Sequence, residues 1–471
     1  MNPRISLLLA LVVATGCAKD PQGSGDDPTF GDTGNNGTTE LASDDDGDGW
    51  SELDGDCDDD NRHANPGEEE DPYNGFDDDC DESTPDDDLD GDGVSADEDC
   101  DDEDPNAFPG NTEDHTDGID NDCDDEIDER FATETIEDGC DCGNPSAIQV
   151  DSAGVAHVIY AEPDWGWIRH RSRATDGTWS SYEYVVEDSG WSGEWLDLAI
   201  DGGDNLHVAY SWMPSSQSWR ELNFTYMDSS GSWWGTYIVD DGTDTGSNNV
   251  GAFVDIKVDS SNLPSFAYMD YDRGVPVLAD YTAFGSAIYA DADINVTGST
   301  GYYATLGLDS RGYDHVAYYN DGWASDVRYT NFLDGTFSEV VDSSTGIYID
   351  LEVRPDDVPC MAYHSTGGAD LRYACRENGS WSVETVDSAG SVGVMASIAF
   401  TSSGTAYIAY YDESNHDLKV ASNADGSWDV STVDSDGDVG WWPYITVDRH
   451  DVVHISYYDA TNAALKYANG N

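Results

Sequence analysis

Two short segments place aspartates at alternate positions and follow them with a glycine. Calcium takes six to eight oxygen ligands, and aspartates at loop positions 1, 3 and 5 with glycine at position 6 let a short chain wrap around one ion. The chemistry to expect is therefore hard-cation coordination, with Ca²⁺ at two or more sites. The two sets are Asp44, Asp46 and Asp48, followed by Gly49, and Asp88, Asp90 and Asp92, followed by Gly93.

Further carboxylates must close these loops. In the second segment Asp97 and Asp99 stand at loop positions 10 and 12. The first segment is one residue longer, so that Asp54 and Asp56 straddle position 12. Neither segment has the bidentate glutamate of an EF-hand, and neither follows an apolar helical period. We therefore predict EF-like loops without flanking helices.

The cysteines indicate that each loop belongs to a duplicated unit. Cys57 and Cys80 are 23 positions apart, as are Cys100 and Cys123, at an offset of 43. If Cys17 is set aside as a lipidation site, eight of the nine cysteines remain; an even number in an exported chain suggests disulfides, and these two pairs are candidates. The copies occupy residues 44–82 and 83–129. A second acidic cluster beside the later cysteine of each copy adds candidate metal ligands: Asp77 and Asp79, and Asp120 and Asp122.

The combined pattern has a known counterpart. Asp-Gly-Asp-Gly, Asp-Cys-Asp-Asp, Pro-Gly and Gly-x-Asp-x-Asp-Cys-Asp together resemble the metal-binding repeat of MopE-like bacterial surface proteins, over about 80 of the 471 residues. That family often has another cysteine after Pro-Gly, where this chain has Asp71 or Asp114-His115. The resemblance implies one bridge per copy and a metal-binding role. The alternative is a disordered acidic spacer that only solvates and repels.

Charge and the N-terminus bear on partners and location. The chain has 18 Lys and Arg against 99 Asp and Glu, a net charge of −81, so it lacks the cationic face that nucleic acid requires. Arg4, an apolar run at residues 5–14 and Cys17 have the form of a secretory signal. Ala14-Thr15-Gly16-Cys17 resembles a bacterial lipobox, which implies lipidation of Cys17, a signal over 1–17 and a linker over 18–43. We expect a lipid-anchored protein of the bacterial cell envelope, at the outer membrane or cell surface; an ordinary cleaved signal peptide is the alternative.

From residue 130 to 471 a different repeat predicts an all-β fold. Each repeat has four short segments of alternating, β-branched and aromatic residues separated by Gly-rich turns, which leaves no room for helices. Seven such units at this spacing indicate a seven-bladed β-propeller that follows an irregular acidic metal-binding region. The repeats are marked by tyrosines 45 to 58 residues apart: Tyr160, Tyr210, Tyr268, Tyr318, Tyr363, Tyr410 and Tyr457.

The ends of this region predict how the ring closes. The seventh repeat stops before its fourth strand, whereas residues 131–137 match the fourth strands at 381–387 and 428–434. We therefore expect the N-terminal strand to complete the last blade. Cys360 and Cys375 flank a symmetric hairpin and should form a cross-strand disulfide. Cys140 and Cys142 have no assignable partner.

Repeated charged positions predict structural pairs. Histidines recur three residues before four of the marker tyrosines, in separate blades, so they cannot converge on one metal. Five cations occupy one repeated strand position, and we expect them to pair with acidic groups: Arg169, Arg328, Arg372, Lys419 and Lys466.

The rim of the propeller is the candidate ligand site. Asp-Gly hairpin turns loosely resemble the Asp-boxes of sialidase-like propellers, which implies fold and not activity. A sialidase-like glycosidase or a polysaccharide lyase would need convergent arginines or paired carboxylates, and no local motif supplies them, so no catalytic residue is named. We expect a module that binds an extracellular glycan or protein, and a lectin is a rival function. The alternative is that several of these aromatic residues only pack over the central channel of the propeller and close it. The ligand candidates are Trp165, Trp195, Trp212, Trp323, Tyr348 and Trp441, and the rim would also include Tyr271, Tyr303 and Trp442.

Overall fold

A computed structural model gives the architecture of the chain, which divides into two compact units: Met1–Thr112 with Asp120–Asp125, and Glu113–Ile119 with Glu126–Asn471. No helix among the described residues is long and apolar enough to cross a membrane. The structure describes residues 43–68, 76–81, 88–96, 99–109, 111, 119–121, 123, 130–162, 165–187, 190–215, 219–243, 246–283, 286–291, 300–322, 325–331, 338–344, 346–424 and 426–470.

In its described residues the acidic unit consists of turns and one 3-10 helix, Glu52–Asp54. Disulfides join Cys57 to Cys80 and Cys100 to Cys123, with Cα–Cα distances of 5.5 and 5.6 Å. Cross-links are needed here because a segment so rich in aspartate buries too little apolar surface to fold on its own. Both bridges match the predicted pairing.

The second unit is built from strands because its segments alternate apolar and polar side chains and carry few helix-forming runs. The strands are β1 (Phe131–Glu137), β2 (Ser146–Val150), β3 (Ala156–Glu162), β4 (Trp167–Arg173), β5 (Glu183–Val186), β6 (Gly190–Ile200), β7 (Leu206–Pro214), β8 (Glu221–Met227), β9 (Tyr237–Asp240), β10 (Ala252–Val258), β11 (Pro264–Asp270), β12 (Val275–Ala283), β13 (Ser286–Asp291), β14 (Thr300–Leu308), β15 (Asp314–Asn320), β16 (Asp326–Asn331), β17 (Glu339–Asp342), β18 (Gly346–Val353), β19 (Pro359–Ser365), β20 (Asp370–Glu377), β21 (Ser380–Asp387), β22 (Val394–Phe400), β23 (Ala406–Asp412), β24 (Asp417–Ser422), β25 (Asp429–Asp434), β26 (Val439–Val447), β27 (Val453–Asp459) and β28 (Ala464–Gly470).

These strands form seven four-stranded antiparallel sheets, which confirms the predicted seven-bladed propeller. Six blades are consecutive quartets, from β2–β5 to β22–β25. The seventh has the order β1-β28-β27-β26, so the N-terminal strand completes the last blade as expected. The innermost strand of each blade contacts the innermost strands of its two neighbours, and β26 contacts β2, so the ring is closed.

The marker tyrosines tie neighbouring blades together. The hydroxyl of Tyr410 donates to Asp387 over 2.7 Å, and that of Tyr457 donates to Asp434 over 2.6 Å. Each aspartate ends the outer strand of the preceding blade, and Lys419 lies 3.1 Å from Asp387. Buried hydroxyls need such partners. All seven tyrosines are fully buried: Tyr160, Tyr210, Tyr268, Tyr318, Tyr363, Tyr410 and Tyr457.

The closing strand supplies the same kind of contact at the junction where the ring is joined. Glu137, at the end of β1, accepts hydrogen bonds from Arg169 at 3.4 Å and Arg171 at 3.1 Å, and Tyr160 lies 3.5 Å away. These three residues belong to the first blade. The N-terminal strand therefore closes the ring through side chains as well as through its ladder with β28.

A glycine stands at every blade junction, where the chain enters an innermost strand. At Gly440, which has a φ of +88°, an added Cβ would lie 2.6 Å from the Cα of Leu418 in the preceding blade. No side chain fits at that distance. The equivalent contacts are Gly143 on Leu465, Gly193 on Ile168, Gly251 on Leu222, Gly301 on Pro276, Gly346 on Val327 and Gly393 on Leu371.

Two further disulfides lie in the propeller unit. Cys360 and Cys375 are directly opposite each other on β19 and β20 and are bonded, as predicted. Cys140 and Cys142, for which the sequence offered no partner, are bonded to each other.

Candidate functional site

The two aspartate loops fold in the same way. In the first, Asp44 accepts hydrogen bonds from the backbone amides of Gly47 at 2.7 Å and Gly49 at 3.2 Å, so its carboxylate turns the chain back on itself. The carboxylates of Asp44, Asp46 and Asp48 lie close enough to share one ion. The second loop repeats this geometry: Asp88 with Gly91 at 2.7 Å and Gly93 at 2.9 Å, and a cluster of Asp88, Asp90 and Asp92.

Several carboxylate oxygens in these loops are buried without any hydrogen-bond partner. In each case the unpaired atom is Oδ2. The residues are Asp46 and Asp56 in the first copy, and Asp90, Asp92 and Asp99 in the second. A buried acceptor left unpaired costs free energy, and native structures pair such atoms with protein, water or a metal ion. Their repetition in two copies fits a bound cation at each loop.

Electrostatics add to this pattern. Burial, followed by the charges of Asp48 and Asp46, raises the pKa of Asp56. Burial and then the charges of Asp92, Asp99 and Asp88 raise the pKa of Asp90. Like charges held together disfavour ionisation, and a divalent cation would remove that penalty. Asp56 and Asp99 thus join the alternating aspartates as fourth carboxylates of their loops.

The remaining candidate ligands lie elsewhere. Asp54 is exposed and accepts a hydrogen bond from Ser51 at 2.8 Å, so of the pair that straddles position 12 it is Asp56 that faces the cluster. Asp77 is exposed, and Asp79 and Asp120 are partly buried; none belongs to either loop cluster. A third group, Asp99 with Cys100 and Cys123, is no thiolate site because the two sulfurs form a disulfide. The candidates outside the described residues are Asp97, Asp122 and Cys17.

Neighbouring residues hold each loop in place. In the first copy Asn65 donates to Asp48 over 2.7 Å, and Asp59 accepts the backbone amide of Asp45 at 3.3 Å. In the second copy Asp102 accepts the amide of Leu89 at 3.1 Å. Such contacts orient the carboxylates before any ion arrives.

The propeller has a cavity of about 630 Å³ at the start of its innermost strands. Each of the six innermost strands from β6 to β26 has a register shift there. In five of them the shifted segment contains a non-glycine residue with positive φ. A bulge of this kind re-aims one side chain, and here it aims large side chains at the cavity: Phe253, Tyr303, Tyr348, Met395 and Trp442.

Aromatic rings form a continuous arc around this cavity. Trp195 lies 5.3 Å from Phe253, Phe253 lies 4.8 Å from Tyr303, and Tyr303 lies 4.9 Å from Tyr348, measured between ring centroids. Tyr348 is in turn 5.9 Å from Trp442. The arc takes one ring from each of five blades, passes the blade of Met395, and offers aromatic surface to a ligand.

Below the aromatic arc, polar side chains join the blades in a ladder. In five successive innermost strands, from β6 to β22, one residue lies two positions after the large side chain that faces the cavity. This residue accepts a hydrogen bond from a backbone amide of the next innermost strand. These bonds leave the acceptors at the cavity floor. They are Asp197 from Ile256 at 2.8 Å, Asp255 from Leu306 at 2.8 Å, Thr305 from Leu351 at 3.0 Å, Asp350 from Ile398 at 2.8 Å and Ser397 from Ile445 at 3.3 Å.

A second cavity of about 380 Å³ is lined in part by Lys257. Lys257 lies 2.8 Å from Glu352 and 4.0 Å from Asp255. Burial alone would lower the pKa of Lys257, but the charges of Glu352 and Asp255 outweigh it and raise the pKa well above the usual range. Lys257 is therefore a charged structural group and no nucleophile.

The predicted rim residues divide into two groups. Trp195 and Tyr348 line the cavity, as do Tyr303 and Trp442. The others lie elsewhere: Trp165 is 61% exposed and stacks on Trp167, Trp212 packs on Trp219, Tyr271 packs on Trp195, and Trp441 donates to Asp438 over 2.6 Å. Trp323 lies outside the described residues.

The repeated cations do not converge on the cavity. Arg328 lies 2.8 Å from Asp326 and Arg372 lies 3.2 Å from Asp370, so each is paired within its blade. Arg169 bonds Glu162 at 2.7 Å. None of the described residues that line the cavity is an arginine. The convergent arginine cluster that a sialidase-like enzyme would need is not found among them.

Comparison with known proteins supports the duplicated unit. A family model named Cu-binding MopE, described as a "putative metal-binding motif", matches residues 56–86 and 99–129. The chain carries two MopE-like metal-binding motifs. Each match begins at the fourth carboxylate of a loop, Asp56 or Asp99, and includes the disulfide that follows. No curated protein matches the chain.

Among solved structures the similarity is confined to the fold. AofleA from Arthrobotrys oligospora is 12% identical with a TM-score of 0.43, over 64% of this chain and 89% of that one. The Aleuria aurantia lectin AAL, in complex with Fucα1-6GlcNAc, is 16% identical with a TM-score of 0.40, over 63% and 97%. The Hadza microbial sialidase Hz136 is 13% identical with a TM-score of 0.41, over 64% and 73%.

Proposed function

We propose that this protein is a calcium-binding lipoprotein of the bacterial cell surface whose propeller acts as a ligand-binding module. The observation that carries the calcium assignment is the set of buried carboxylate oxygens without partners, repeated in both loops. Three carboxylates cluster at each loop, Asp56 or Asp99 interacts with them through its charge, and backbone or water oxygens would complete the six to eight ligands that Ca²⁺ takes.

Calcium fits the donor set better than copper, which the name of the matching family suggests. Copper favours imidazole and thiolate ligands, whereas calcium favours carboxylates. The cysteines beside the loops form disulfides and offer no thiolate. A loop with a Kd of about 10⁻⁴ to 10⁻³ M would fill at extracellular calcium concentrations.

Anchoring rests on the N-terminal sequence. A short apolar run at residues 5–14 that is followed by Thr15-Gly16-Cys17 resembles the substrate pattern of lipoprotein processing, and several acyl chains would hold the protein stably at a membrane. Four disulfides support an oxidising location outside the cytoplasm. Radiolabelled palmitate would be incorporated by the wild-type chain and lost in Cys17→Ser.

The propeller's role rests on its cavity. A concave site of about 630 Å³ with an aromatic wall and a few polar groups is the usual form of a binding site for a small molecule or a side chain. A lectin function would place equivalent pockets in each blade, and a glycosidase would place paired carboxylates or arginines beside a substrate. A cavity lined jointly by residues of several blades favours a binding module with one site.

Calcium titration of the full chain tests the metal assignment. Isothermal calorimetry should show two or more Ca²⁺ per chain, and Asp46→Asn and Asp90→Asn should each remove about one equivalent because each removes an unpaired buried acceptor. Asp60→Asn, an exposed change of the same charge in the acidic unit, is the control. Tight Cu²⁺ binding without calcium uptake, or an equal loss in the control, would overturn the assignment.

A further inference from the structure

The cavity at the start of the innermost strands has an acidic lining, and the nearest buried cation, Lys257, lines the second cavity and lies 2.8 Å from Glu352. The described lining of the first cavity includes four acidic residues and no lysine, arginine or histidine. One of the four, Glu194, is bonded to Arg220, which lies outside the lining. Three acids remain, and they form the floor beneath the aromatic arc: Asp197, Asp255 and Asp350.

One floor oxygen lacks a donor. Asp255 is 9% exposed, and its Oδ2 accepts hydrogen bonds from Thr305 and Leu306, but no N–H or hydroxyl group donates to its Oδ1, and its carboxyl lies within hydrogen-bond reach of the carboxyl of Asp197. Lys257 lies 4.0 Å from Oδ1, beyond hydrogen-bond distance, and makes its close contact with Glu352. A buried acceptor of this kind needs a donor, and a charged donor satisfies it best.

The aromatic arc suits the same kind of ligand. The faces of Trp, Tyr and Phe rings attract cations through the ring quadrupole, and the attraction grows when the cation is desolvated. Five such rings stand in contact above the three carboxylates. An apolar chain that carries a positive end would place its methylenes along the rings and its charge at the floor.

We propose that this cavity binds a primary alkylammonium group, supplied by a free amine or by a lysine side chain. The proposal deepens the ligand-binding role given to the propeller above and rests on it. A primary ammonium has the N–H donors that the open oxygen of Asp255 requires, and its charge offsets that of the floor. Burial raises the pKa of Asp197 and Asp255 although the charge of Lys257 acts against it, so ionising both carboxyls stays costly, and a second cation would lower that cost.

This chemistry separates the ligand from the obvious alternatives. A sialic acid or another anion would meet three carboxylates and no described arginine in the lining, and would be repelled. A neutral sugar could stack on the arc and donate hydroxyls, but it would leave the charge of the floor uncompensated.

Isothermal calorimetry on the full chain, with calcium saturating, tests the proposal with matched probes. N-acetyl-lysine methylamide and n-butylamine carry the ammonium in a peptide and in a free amine; N-acetyl-norleucine methylamide and n-butanol are the corresponding neutral probes. N-acetylglucosamine is the sugar probe. Each amine should bind at least about tenfold more tightly than its neutral counterpart, as expected for a partly desolvated charge contact.

Variants locate the site. Asp255→Asn keeps the shape and should weaken amine binding about tenfold, and Tyr348→Leu should weaken it through loss of a ring face. The control, Asp176→Asn, removes the same charge from an exposed hairpin turn, where Asp176 accepts a hydrogen bond from the backbone amide of Thr178. This variant should leave the affinity unchanged. Near-ultraviolet circular dichroism reports whether each variant is folded, and the comparison of probes on the wild-type chain requires no variant.

The outcomes are distinct. Equal binding of amine and neutral probes, or binding of N-acetylglucosamine alone, overturns the alkylammonium assignment and leaves the binding module intact. Absence of binding by every probe overturns both the assignment and the ligand-binding role of this cavity. The tighter of the two amine probes identifies the source of the group.

Discussion

Replacing Gly440 with alanine tests whether the glycine at a blade junction holds the ring together. Gly440 has a φ of +88°, and its added Cβ would lie 2.6 Å from the backbone Cα of Leu418. Leu418 is fully buried in the third strand of the preceding blade, so it cannot move aside as a flexible side chain would. Trp442, in the aromatic arc, follows two residues later.

The expected loss can be divided into two parts. An alanine in the left-handed region costs about 1 kcal/mol relative to glycine. The overlap with Leu418 adds about 2 kcal/mol, since an overpacked site forces backbone shifts. Gly379 provides the matched control, because it has a φ of +78° in a hairpin and no atom within 4 Å of an added Cβ. Gly440→Ala should therefore cost about 3 kcal/mol and Gly379→Ala about 1 kcal/mol.

Urea unfolding followed by tryptophan fluorescence gives both values from the shift in midpoint at constant slope. Equal losses in the two variants would show that close packing at the junction contributes nothing. A folded Gly440→Ala variant should also bind the amine probes more weakly, because a shift of β26 away from Leu418 would move Trp442 out of the aromatic arc.

Three other changes have defined outcomes. Burial, followed by the charge of Asp280, raises the pKa of Asp314 from 3.8 to about 7, so the folded chain loses stability as pH rises from the unfolded value near 4 to about 7, and the loss is complete above that; Asp314→Asn should stabilise the protein by about 2 kcal/mol more at pH 8 than at pH 5, whereas a pH-independent effect would contradict this. Phe131→Ala removes a buried ring from the closing strand and should cost about 3 to 5 kcal/mol, against less than about 0.5 kcal/mol for the exposed Thr135→Ala, measured by urea midpoint. Cys360→Ala with Cys375→Ala should lower the thermal midpoint by the equivalent of about 3 kcal/mol, since the bridge closes a hairpin of 15 residues; an unchanged midpoint would show that the β19–β20 ladder suffices.

The propeller could be predicted from sequence because its constraint is local and repeated. A fully buried tyrosine recurs once per blade, and its hydroxyl needs a polar partner, which for Tyr410 and Tyr457 is an acid in the preceding blade. The fourth strand of the last blade could also be predicted, because residues 131–137 show the same alternation as the fourth strands of other blades. Both inferences rest on the period-2 geometry of strands.

Residue type predicts the cavity only in part, because position within the blade decides which side chains line it. Counting back 15 residues from the marker tyrosines gives Trp195, Phe253, Tyr303, Tyr348 and Trp442, which are the rings of the arc. Selection by aromatic type also gives exposed tryptophans such as Trp165, which do not line the cavity. The bulge that aims the side chains depends on positive φ at non-glycine residues, which composition does not reveal.

The floor of the cavity bears on the choice between one ligand site and seven. The position 13 residues before each marker tyrosine carries Asp197, Asp255, Thr305, Asp350 and Ser397 in five successive blades, and all five accept the next strand's amide. Serine or threonine performs that structural task as well as aspartate does, so the ladder alone does not require three carboxylates. Because the acids occur at some blades and not at others, the charge is concentrated in one central cavity, as a single cationic ligand requires and as a ring of equivalent sugar pockets does not.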